Sequence, residues 1–100
     1  MTKNTNIAAE IVILHDIWSR MTKTEIANNI ETQLYAKYPE CQNSFNEKMK
    51  VLMDITGARQ QTIYSWFNHS REKVKMPFQR VCQIAAELDV DIYDILAENK

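Results

Sequence analysis

Residues 52–68 read LMDITGARQQTIYSWFN, and the only glycine of the chain, Gly57, divides them. Upstream, Phe45, Met49, Leu52, Met53 and Ile55 recur at helical spacing, which predicts a helix ending at the glycine. Gly57 stands where a left-handed helix terminus favours a residue without a side chain. Helical spacing resumes within three residues at Gln60, with Ile63, Trp66 and Phe67 as the expected buried side. Two helices joined by so short a turn cross steeply instead of running antiparallel. That is the geometry of a helix-turn-helix unit.

Working outward, Ser44-Phe45-Asn46-Glu47 has the form of a capping box and opens the first of these helices. A second box, Thr22-Lys23-Thr24-Glu25, opens a helix expected to reach about Tyr38, with Ile26, Ile30, Leu34 and Tyr38 in a stripe. Pro39 stops it, because the residue before a proline avoids the helical region. Residues 6–20 read as a helix with Ile7, Ile11, Leu14, Trp18 and Met21 on one face. After the reading unit, Pro77 suits the first turn of a helix carrying Phe78, Val81, Ile84, Ala85 and Leu88. Asp91 then starts a last short helix through Ile92, Ile95 and Leu96. The class is all-α, with five to six helices.

Composition agrees. The chain has 100 residues, 45% hydrophobic and 25% charged, enough for one domain to bury a core without disulfides or metal. One glycine and two prolines are too few for a hairpin-rich sheet. Cys41 and Cys82 lack a CxxC partner, and His15 and His69 are far apart, so no metal-ligand spacing emerges. The opening MTKNTNIAAE lacks the pattern of a signal peptide, and no apolar run approaches a membrane span. A reduced, cytoplasmic compartment is the expectation. Net charge is −1, but its distribution is uneven: −2 over residues 1–47, +5 over 48–81 and −4 over 82–100. A basic centre between acidic flanks is what a one-sided phosphate-binding surface produces, and equally what a cluster on a solvated face produces.

From Met49 to Leu96 the chain resembles the lambda-repressor-like helix-turn-helix family, which includes phage Cro proteins and many bacterial regulators. The carrying residues are LMDITGARQQTIYSWFN at 52–68 and FQRVCQIAAELDVDIYDIL at 78–96. Ala58 takes the apolar turn position, and Ile84-Ala85-Ala86-Glu87-Leu88 with Asp89-Val90-Asp91 looks like the family's segment behind the DNA-reading pair. The resemblance implies a lambda-repressor-like DNA-binding domain at 23–100, with residues 1–22 as an extra N-terminal helical extension. Two departures stand out. Met53 replaces the family's small Ala, which implies a wider helix spacing, and Lys48-Met49 replaces its usual Ser-Gln pair. A homeodomain reading of Trp66-Phe67-Asn68-His69-Ser70-Arg71 fails, because Asn68 is one residue early and about 100° around the helix from the base edge.

With Ile63, Trp66 and Phe67 inward, the opposite face presents Gln60, Gln61, Tyr64, Ser65 and Asn68. A glutamine amide donates and accepts at once, matching the acceptor and donor that adenine shows in the major groove. By family position Gln60, Gln61 and Ser65 look like base readers, and Thr62 and Asn68 like backbone contacts. Tyr64 either stacks on the sugar-phosphate chain or covers apolar surface. Arg59, Arg71, Lys73 and Lys75 flank the helix and suit phosphate neutralisation, which positions without specifying. The bland alternative for adjacent glutamines is plain solvent exposure, and for residues 71–75 a charged loop.

No Gly-rich phosphate loop, metal motif or Ser/Cys–His arrangement points to an enzyme. No cofactor, small-molecule ligand or membrane partner is implied. The expected function is that of a sequence-specific, double-stranded DNA-binding transcriptional regulator, a repressor acting as a homodimer on an inverted repeat. Residues 6–21 are the candidate pairing element, with docking on their own core as the alternative. The competing reading is an antitoxin, or a phage or mobile-element accessory protein, that uses the fold to bind protein.

Overall fold

The computed structural model describes residues 2–68 and 74–97, and side chains from residue 9 onward. Its elements are six α-helices and a closing 3-10 turn, with no strand among the described residues. The helices are α1 (Thr2–Arg20), α2 (Lys23–Lys37), α3 (Glu40–Asn43), α4 (Phe45–Thr56), α5 (Gln60–Phe67) and α6 (Phe78–Leu88); the turn is Ile92–Asp94. The chain is all-α.

Local chemistry sets most of the helix ends. At the start of α2 the Thr22 hydroxyl accepts from the Glu25 amide at 3.1 Å, and the Glu25 carboxylate accepts from the Thr22 amide at 2.8 Å. Ser44 accepts from the Glu47 amide at 3.2 Å and starts α4. Between them lies α3, which the sequence reading did not anticipate. Pro39 ends α2 but then lies in the right-handed helical region (φ −57°, ψ −30°) and starts a new turn, where its missing N–H costs nothing. That turn buries Cys41 instead of leaving it in a loop. Burial, with Glu40 and Glu47 nearby, pushes the Cys41 thiol above its ordinary range, so it stays protonated and unreactive at neutral pH.

The turn between α4 and α5 is built around Gly57, at φ 71° and ψ 3°, whose amide donates to the Met53 carbonyl at 2.8 Å. Thr56 reinforces it: its hydroxyl donates to the Leu52 carbonyl at 2.7 Å and accepts from the Ala58 amide at 3.1 Å. Helix α6 ends in the same handedness on Asp89 (φ 55°), with Val90 donating to the Ala85 carbonyl.

The core joins Ile26, Ile30 and Leu34 of α2, Met49 and Leu52 of α4, Ile63 and Trp66 of α5, and Val81, Ile84 and Leu88 of α6, closed by Ile95 and Leu96. Asn29 ties the closing segment down by donating to the Ile95 carbonyl at 2.8 Å. A buried cation fastens α4 to α2: Lys48 pairs with Glu31 and lies 4.4 Å from the Phe67 ring centroid and 5.5 Å from that of Tyr35. Lys23 is also buried, its ammonium donating to the Asn68 carbonyl at the end of α5.

Helix α1 divides into two parts. Leu14 and Met21 enter the core, and Trp18 donates its indole N–H to the Met76 carbonyl at 2.8 Å. The His15 ring sits 5.2 Å from both Trp18 and Phe78. One turn earlier Ile11, the preceding described member of the expected stripe, leaves the globule with its neighbours Val12 and Ile13: they are 51%, 69% and 52% exposed. The molecule is correspondingly elongated, 45 by 26 by 26 Å.

Two stability outcomes follow from these contacts. A Cβ at Gly57 would meet nothing within 4 Å, so the requirement for glycine is conformational and not steric. Gly57→Ala should therefore cost about 1 kcal/mol in urea denaturation, and Gly57→Asn less, since asparagine tolerates the left-handed region. Lys48→Ala leaves the half-buried Glu31 carboxylate with the Tyr35 hydroxyl but no cation and should cost about 2 kcal/mol, whereas Lys50→Ala on the solvated side should stay within about 0.5 kcal/mol.

Candidate nucleic-acid interface

Helix α5 is oriented by its inner side. Ile63 and Trp66 are buried, one turn apart, and Phe67 packs partly against the same core. Their burial leaves Gln60, Gln61, Thr62 and Tyr64 exposed on the outer side. Arg59, also exposed, occupies the N-cap without a side-chain cap hydrogen bond. The positive end of the helix dipole and a guanidinium thus sit beside the two amides.

The other expected contacts divide. Ser65 is half-buried and its hydroxyl donates back to the Thr62 carbonyl at 2.6 Å, so its proton is already used within the helix. Asn68 is half-buried at the C-cap, off the helix (φ −82°, ψ 112°), at the opposite end of α5 from Gln60. Lys75 faces inward: its ammonium donates to the Trp18 carbonyl and lies 4.3 Å from the Trp18 ring centroid. Burial lowers its pKa, with Glu25 opposing the shift. Arg71 and Lys73 lie outside the described residues.

This placement changes the meaning of the basic centre. Of its seven cations, Lys48 is bound to Glu31 and Lys75 to Trp18. Arg80 is engaged as well, donating to the Thr56 carbonyl and to the Gln83 amide oxygen, both at 2.9 Å. Lys50 and Arg59 are the described cations of the segment that are exposed, and both lie near Gln60. Charge counting could not separate these roles, since each depends on a partner distant in sequence.

Two grooves flank Gln60. One, of about 260 Å³, is lined by Phe45, Gln60, Gln61 and Tyr64. The other, of about 220 Å³, is lined by Asn46, Met49, Lys50, Met53, Asp54 and Gln60. Phe45 and Met53 were expected in the α4 stripe, yet both are exposed, at 48% and 38%. They face α5 instead of the core. Phe45 meets Tyr64 edge-on, ring centroids 5.9 Å apart at 79°. Phe45 and Lys50 are thus residues of the surface that sequence reasoning missed. The signal for Phe45 was its position at the very start of α4, beyond the reach of the core.

Among the described residues, no group of three or more His, Cys, Asp or Glu could hold a metal ion, and no helix is long and apolar enough to cross a membrane. The chain matches no protein-family model, no curated protein and no solved structure.

Proposed function

We propose that this protein is a sequence-specific, double-stranded DNA-binding transcriptional repressor that lays α5 in the major groove. The observation that carries this reading is a short helix seated by buried side chains while the amides of its leading turn stay exposed. Ile63 and Trp66 are held in the core while Gln60 and Gln61, in the leading turn, are both exposed. The leading turn of a recognition helix is the part that meets base edges. Arg59 and Lys50 stand where backbone phosphates would pass, and the resemblance of residues 49–96 to lambda-repressor-like domains supports the same docking. Once bound, the domain excludes other proteins from its site. A duplex reader works in the compartment that holds DNA, here the cytoplasm.

One such helix reads only a few base pairs, so we take the working form to be a homodimer with its two reading helices about 34 Å apart. The projecting part of α1 is the proposed seam. Ile11, Val12 and Ile13 are exposed there, uncovered by the core of their own domain. Glu10 is the only charge between residues 9 and 13, so two copies of this turn would meet with little repulsion. Three aliphatic side chains fall short of the roughly 800 Å² per partner of a stable interface. The pairing should therefore be weak in free solution and strengthened on DNA. An antitoxin or a phage or mobile-element accessory protein would use the same apolar turn to hold a different chain.

Duplexes selected from a random library separate these readings. The regulator should lose affinity steeply with salt, and Arg59→Ala should reduce the slope by about one per protomer, while Lys75→Ala should leave it unchanged. Joint replacement Gln60→Ala and Gln61→Ala should abolish discrimination, about 1–3 kcal/mol for each bidentate contact, and leave weak nonspecific binding. Absence of duplex binding at low salt would refute the proposal. In sedimentation with a two-site duplex, Val12→Glu with Ile13→Glu should convert paired occupancy into independent binding. Unchanged pairing would remove α1 from the seam.

A further inference from the structure

We infer that the groove between Phe45 and Tyr64 receives the 5-methyl edge of thymine, and that it makes α5 a reader of A·T base pairs. The inference rests on the reading of α5 as the duplex-contacting helix. It begins from an aromatic pair that the fold itself does not use. Phe45 and Tyr64 are each about half exposed, touch each other edge-to-face, and take no part in the core cluster. Two large aromatic surfaces are thereby held in water beside the two glutamines. Neither Phe45, Tyr64, Gln60 nor Gln61, which line the groove, carries a charge.

Among the base edges of the major groove, such a surface has one complement. The floor of the major groove is made of hydrogen-bond donors and acceptors, and its apolar group is the thymine methyl. The two glutamines on the wall of the groove supply the other half of the match. Each amide can accept from and donate to adenine at once. An amide for adenine and an apolar recess for thymine, side by side on one helix turn, fit the two bases of a pair or of neighbouring pairs. The outer rim is compatible with phosphate, since Arg59 is exposed next to Gln60, whereas Lys50 shares the second groove with Asp54. The carboxylate in this region, Asp54, lies in the second groove on the other side of Gln60.

The test removes one methyl at a time. In the duplex selected by the wild-type protein, each thymine is replaced singly by deoxyuridine, which lacks only that group. At one or two positions affinity should fall about fourfold, the factor expected for withdrawing one methyl from an apolar contact. Phe45→Ala should lower affinity for the parent duplex and abolish the difference between thymine and deoxyuridine at those positions. Folding of this variant is checked by its thermal transition, which should be retained because Phe45 lies outside the core. Tyr64→Phe, which keeps the ring, should preserve the difference. Equal affinity for every deoxyuridine duplex, or full methyl sensitivity in Phe45→Ala, would overturn the inference while leaving the glutamine reading intact. Absence of any sequence preference in the wild-type protein would overturn both.

Discussion

Everything on the outer surface of α5 depends on what its inner surface buries. The helix has eight residues, too few to be stable alone in water. It exists because Ile63 and Trp66 are withdrawn from solvent, each contributing about 1.5–3 kcal/mol. The same burial removes the helix's rotational freedom. Once these two side chains are seated, the directions of Gln60 and Gln61 are fixed, about 100° apart around the helix. The left-handed turn at Gly57 does the rest, setting the angle at which α5 leaves α4. Stability and presentation of the amides are therefore a single constraint.

The electrostatics obey the same logic. Lys48, Lys75 and Arg80 are positive charges spent on holding helices together, each with a carbonyl, a carboxylate or an aromatic face as its partner. Their long aliphatic stems lie along apolar surface, and their charged ends are satisfied within the fold. The cations left on the outside near Gln60 are few, so any attraction to phosphate is local and not a property of the molecule's net charge. On the proposed DNA-reading function, affinity would rest on base contacts and on pairing more than it does for a strongly basic protein.

How much of this was legible in the sequence follows from the range of each interaction. The capping box at Thr22, the hydroxyl cap at Ser44 and the glycine turn are written in adjacent residues, so their helix boundaries could be placed closely. The burial of Ile63 and Trp66 was readable from helical spacing. Helix α3 was not, because Pro39 both ends one helix and starts another, and only the space available to Cys41 decides that the chain turns again. The inward commitment of Lys75 was hidden because Trp18 lies 57 residues away. The exposure of Ile11, Val12 and Ile13 was hidden for a different reason. Spacing shows which residues share a face, but not where the rest of the globule ends. Phe45 belongs to the same group: its stripe is correct, but the core stops short of it.

The central claim is that the amide-bearing side of α5 makes direct contact with base edges, and side-chain NMR reads it most directly. On titration with a selected duplex, the side-chain NH₂ resonances of Gln60 and Gln61 should shift and become protected from solvent, while the Trp66 indole N–H stays in place. Unmoved glutamine amides, with the perturbation falling instead on α1 or on the acidic C-terminal surface, would contradict the account.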